Sequence, residues 1–79
     1  MQLIQGEFNT NDAITIISEM VNVKITFHTA KINDQSTEED IKYRESKIKS
    51  LQNELAELRK MLLSKNGSVK MNAFLTIEN

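Results

Sequence analysis

Residues 41 to 62 hold an unbroken heptad register: Ile41, Ile48, Leu55 and Leu62 lie seven apart, with Leu51 and Leu58 midway between them. Apolar residues recurring every three and four positions form a narrow seam along one side of a helix, and such a seam is buried only against another helix. A chain of 79 residues is near the lower limit for a self-sufficient core and usually needs disulfides, a metal or oligomerisation. There is no cysteine, and His28 is the only histidine, so disulfides are excluded and no thiolate accompanies the imidazole at a structural metal. Oligomerisation is the device left.

Two helices are expected, one on each side of a short polar turn. Asn9-Thr10-Asn11-Asp12 is a cluster of capping residues ahead of a periodic apolar run, which predicts a helix from about residue 11 to 32, roughly 33 Å long. Its apolar positions make two adjoining stripes, one of Ile16, Met20, Val23, Phe27 and Ala30, the other of Ile14, Ile17, Val21, Ile25 and Ile32. Together they are wider than a two-stranded seam requires, so this helix is expected to have more than one packing partner. After Asn33-Asp34-Gln35, the run Ser36-Thr37-Glu38-Glu39 fits a capping box in which Ser36 and Glu39 exchange bonds with each other's amides. The second helix is predicted over 37–65, with Gly67 as its left-handed C′ residue.

The ends of the chain read as strands. Residues 2–8 form a short extended run in which Gly6 marks a bulge. Beyond Gly67 the period changes to two: Val69, Met71, Ala73, Leu75 and Ile77 alternate with Lys70, Asn72, Phe74 and Thr76, the pattern of a half-buried strand over 68–77. An antiparallel helical hairpin brings the two strands out at the same end, where they can pair. The fold expected is a single α+β domain, mostly α. It is an antiparallel, coiled-coil-like helical hairpin flanked by N- and C-terminal strands that form a small antiparallel sheet. A lone two-stranded ribbon is marginal in water, so the sheet is expected to be completed by dimerisation. The residues expected at the interface are Ile16, Met20, Val23 and Phe27 facing Ile48, Leu51, Leu55, Leu58 and Leu62.

Charge argues against several classes of partner. Ten basic and eleven acidic side chains leave a net charge of −1, too little to attract nucleic acid or an anionic membrane globally. Lys42, Arg44, Lys47 and Lys49 are the main basic cluster, and Glu38, Asp40 and Glu45 lie four residues ahead of Lys42, Arg44 and Lys49. That order supports a helix and cancels much of the local field, so the cluster reads as a solvated face. The most apolar stretch, 13–25, is broken by Ser18, Glu19, Asn22 and Lys24 and does not read as a membrane span. With no secretory leader visible and no cysteine, a cytoplasmic location is expected.

No residue set points to catalysis, and no cofactor or metal is expected. His28 has neither a nucleophile nor a second ligand at an evident spacing and reads as a residue at the edge of a helix interface. Glu38, Glu39 and Asp40 match no calcium loop and suit the positive end of a helix dipole. Phe74 breaks the polar side of the last strand and is expected to touch Phe8 across the ribbon.

Gly6-Glu7-Phe8, followed by Lys24-Ile25-Thr26-Phe27-His28 and Lys31-Ile32, resembles a set of short bacterial proteins with a G-E-F start and a K-I-x-F-H-x-x-K-I helix segment. The likeness covers most of the chain. It implies a bacterial source and carries no assigned activity.

The function expected is a non-enzymatic, self-associating interaction or scaffold module, with itself as the expected partner. The alternative is a small dimeric DNA-binding regulator of ribbon-helix-helix-like type. Against that alternative, the first strand offers Gln2, Gln5 and Glu7 and no basic side chain, so nucleic acid is not an expected partner.

Overall fold

The structure, a computed structural model, describes residues 1–79. The chain runs β1 (Gln2–Asn9), α1 (Thr10–Ala30), α2 (Glu38–Leu63) and β2 (Ser68–Phe74). α1 and α2 pack as a hairpin, and β1 pairs antiparallel with β2 at its open end. This is the mostly helical α+β arrangement that the periodicities predict.

Each helix starts where a side chain can take over an orphan amide. Asn9 Oδ1 accepts from the amide of Asp12 at 2.8 Å, and its Nδ2 donates to the Asp12 carboxylate at 3.0 Å. The expected capping box at Ser36 does not form. Thr37 is the cap, accepting from the Asp40 amide at 3.1 Å. The Ser36 hydroxyl is engaged in the turn instead, where it accepts from the Asn33 amide at 3.1 Å and donates to the Lys31 carbonyl at 3.3 Å. Thr37→Ala should therefore lower the unfolding free energy by about 1 kcal/mol, read as a lower urea midpoint. An equal loss in Ser36→Ala and none in Thr37→Ala would place the cap at residue 36 after all.

The elements end slightly earlier than the sequence pattern suggests. α1 stops at Ala30, because Lys31 and Ile32 bond back to the carbonyls of His28 and Thr29 in a tighter turn. α2 closes at Leu63, where the Ser64 hydroxyl donates to the Met61 carbonyl at 2.6 Å. Gly67 does have a positive φ of 90°, but it lies beyond the Ser64 cap and turns the chain into β2 rather than serving as C′. Its carbonyl accepts from the Thr10 hydroxyl at 3.3 Å, which joins the entry of β2 to the start of α1.

In the ribbon, Ile4, Gly6 and Phe8 stand opposite Ala73, Met71 and Val69. Alternate residues share a face, so the half-buried side chains Ile4, Phe8, Val69, Met71 and Ala73 lie together. Gln5 and Glu7 stand opposite Asn72 and Lys70 on the other, exposed face. The register shift falls between Gln2 and Ile4, so the bulge is at Leu3 and not at Gly6. Gly6 keeps its place for another reason: its φ of 140° lies where side chains strain the backbone. Phe74 pairs with Gln2, not Phe8, and both it and Ile77 are exposed.

The heptads pack as their spacing predicts. Within α2, the residues withdrawn from solvent are Ile41, Arg44, Ile48, Leu51, Leu55, Leu58 and Leu62. The core is nevertheless thin: only Ala13, Ser18 and Leu62 are buried. Arg59 Nη2 donates to the Ser18 hydroxyl at 3.2 Å, so this core sits in the half of the hairpin nearer the ribbon. The molecule is flat, 47 × 32 × 14 Å, with a radius of gyration of 15.4 Å against about 12 Å for a compact chain of this length. It exposes 6421 Å², where a compact 9.1 kDa monomer exposes about 4,900 Å².

Candidate interaction surface

The two stripes of α1 have exchanged the roles expected of them. Ile14, Ile17, Val21, Ile25 and Ile32 are half-buried, whereas Met20, Val23, Phe27 and Ala30 are exposed and only Ile16 of that stripe is half-buried. The hydrogen bonds across the hairpin agree, since they run from Arg59 to Ser18 and between Arg44 and His28. Ile48, Leu51, Leu55, Leu58 and Leu62 thus face the stripe of Ile14, Val21 and Ile25, and not Met20, Val23 and Phe27. Polarity explains the choice. Arg44 occupies a seam position, and its guanidinium needs an acceptor there; Ser18 and His28 interrupt one stripe, and the other stripe has no acceptor side chain.

Met20 and Val23 of the displaced stripe, with Ile17, Val21 and Lys24, form one wall of an open groove whose other wall is the ribbon. Leu3, Ile4, Ile17, Met20, Val21, Val23, Met71, Ala73 and Leu75 line it, with Lys24, Lys70 and Asn72 also on its walls, and it encloses about 950 Å³. Val23 is 69 % exposed and Met20 40 %, so the groove is apolar surface that the chain itself does not cover. Its composition suits another apolar surface, with Lys24 and Lys70 as the charged residues on its walls. No group of three His, Asp or Glu side chains is placed to hold a metal ion, and no helix is long and apolar enough to cross a membrane.

A second feature lies at the closed end of the hairpin. Arg44 Nη1 and His28 Nδ1 are 2.9 Å apart. A guanidinium can only donate, so His28 accepts at Nδ1 and carries its proton on Nε2. Its partial desolvation, followed by the charges of Arg44, Lys24 and Lys47, holds its pKa below the ordinary 6.5. The unfolded chain therefore takes up a proton near pH 6.5 that the folded chain refuses. The stability linked to His28 is complete above about pH 6.5 and is lost as pH falls from there through the folded pKa. The urea midpoint should drop over that window in the native chain. His28→Gln, which keeps an acceptor, should flatten the drop, and an unchanged profile in that variant would remove His28 as its cause.

The α2 cations are also less neutralised than their spacing suggests. Lys42 pairs with Glu38 at 3.6 Å, but the expected Asp40–Arg44 and Glu45–Lys49 pairs do not form. Arg44 turns inward to His28, which withdraws it from its acid. The heptads made the α2 seam legible from spacing alone. His28 lies at the edge of the helix interface, as its place in the sequence suggested; the missed residues are Ser18 and Arg59. Comparison with protein-family profiles, curated proteins and solved structures returns no match for this chain.

Proposed function

We propose that the chain is a non-enzymatic, self-associating module that works as a homodimer, with the groove between α1 and the ribbon as its interface. The observation that carries this reading is surface area. The exposed surface exceeds that of a compact monomer by about 1,500 Å², and four of the eleven exposed large hydrophobics, Leu3, Met20, Val23 and Leu75, line this one groove. Pairing two copies through that excess would bury about 3,000 Å² in total, within the range of obligate homodimers. The ribbon supports the same reading, because two strands alone are marginal and a second copy supplies the covering layer. We propose a bacterial cytoplasm as its location, a reading that rests on the resemblance to short bacterial proteins.

The test is the mass in solution by light scattering over a wide concentration range. A dimer that persists on dilution to about 1 μM is the expected result. A folded monomer at every concentration would overturn self-association and make the groove a seat for a different protein.

A further inference from the structure

The helices bring together, at the closed end of the hairpin, a row in which cations and aromatic rings alternate. Lys31 Nζ lies 5.4 Å from the centre of the Phe27 ring. Arg44 Cζ lies 5.8 Å from Phe27 and 5.7 Å from Tyr43. Lys47 Nζ is 5.5 Å from Tyr43. The row crosses from α1 to α2, with Arg44 as the joint, and its geometry is anchored where that guanidinium donates to His28. Both rings stay open to solvent, Phe27 at 53 % and Tyr43 at 55 %. None of the row's cations is within salt-bridge distance of a carboxylate, Asp40 one turn ahead of Arg44 included.

We propose that this row binds single-stranded nucleic acid. The chemistry has two parts that must coincide. Cations along a track hold phosphates without regard to sequence, and exposed rings between them give bases a face to stack on. An acidic peptide would use the cations and have no use for the rings. A duplex keeps its bases stacked and needs a helix or ribbon in a groove, whereas this row lies across two helices. The chain's net charge of −1 supplies no long-range attraction, so binding is local, weak and strongly salt-dependent. The inference does not depend on dimerisation: the groove's α1 wall ends at Lys24, and none of Phe27, Lys31, Tyr43, Arg44 and Lys47 lines it.

The experiment uses the full chain and a fluorescein-labelled oligothymidylate of about 12 nucleotides, read by anisotropy at ~20 mM and ~150 mM salt. Tyr43 is the only tyrosine and there is no tryptophan, so intrinsic fluorescence reports directly on a base stacked at this site. Expected are a dissociation constant of order 10 μM at low salt, a log–log salt slope near −2, and quenching of Tyr43. The double variant Lys31→Glu/Lys47→Glu should weaken binding at least tenfold. The charge-matched control Lys49→Glu/Lys60→Glu, on the side of α2 away from Lys47 at ~100° per residue, should change it less than about threefold. Tyr43→Leu should also weaken binding while the fold is retained. The proposal is overturned by no anisotropy change at low salt, by equal losses in the two double variants, or by binding without Tyr43 quenching. Equal affinity for a poly-glutamate peptide of similar length would also overturn it, because the rings would then play no part.

Discussion

Leu55→Lys should leave the chain unfolded at room temperature, with most of its helical circular dichroism gone. Leu55 is half-buried at the middle of the α2 seam, with Leu51 and Leu58 on either side. Removing a packed leucine costs about 2–5 kcal/mol, and the ammonium must either be desolvated or pull the helices apart to reach water. A chain of this size has roughly 4–12 kcal/mol of stability by the usual per-residue range. One with only Ala13, Ser18 and Leu62 buried belongs at the lower end. The control is the same change at Leu63, which is 68 % exposed and should tolerate it within about 0.5 kcal/mol. If Leu55→Lys kept both helicity and mass, the packed hairpin would be wrong.

Val23→Glu should have the opposite character, with a large effect on mass and a small one on the isolated fold. Val23 is the most exposed of the groove's apolar side chains on α1, so within one copy the carboxylate stays in water. In a dimer closed over the groove, that charge is buried without a partner. The expected penalty of about 3 kcal/mol or more corresponds to a dissociation constant raised at least 100-fold. Light scattering should then show a monomer at concentrations where the native chain is paired. Its melting temperature should fall through the loss of association, since stability and association are coupled by mass action. An unchanged mass would show that the groove is not the interface, whatever the native oligomeric state.

These two substitutions separate what was readable from what was not. The α2 seam was readable because its heptads are narrow and admit one face: Ile41, Ile48, Leu51, Leu55, Leu58 and Leu62 are withdrawn from solvent as their spacing predicts. The pairing of β1 with β2 was readable because a hairpin of antiparallel helices must return the chain to its starting end. The α1 face was not, because Ile14, Ser18, Val21, Ile25, His28 and Ile32 repeat at the same three- and four-residue intervals as Ile16, Met20, Val23, Phe27 and Ala30. Hydrophobicity favours the second set, and it is the first that packs.

The same limit applies at smaller scale. Ser36 and Thr37 are both sound caps by composition, and the choice of Thr37 depends on the turn that occupies Ser36. Phe8 and Phe74 looked like a cross-strand pair, but in the antiparallel ribbon Phe8, at the helix end, meets Val69, and Phe74 lies at the far end beside Gln2. The row of Lys31, Phe27, Arg44, Tyr43 and Lys47 was invisible because its members come from two helices.

The sequence by itself determined the number, order and approximate length of the elements, their antiparallel arrangement and the seam of α2. Those properties follow from local periodicity and from chain connectivity, which do not depend on what lies opposite. Only the tertiary structure decided which stripe of α1 is covered, which surface stays open as the groove, and which cations meet which rings. Those are matters of rotation about a helix axis. Here the rotation is set by Arg44 and Arg59 reaching their acceptors on His28 and Ser18 across the hairpin.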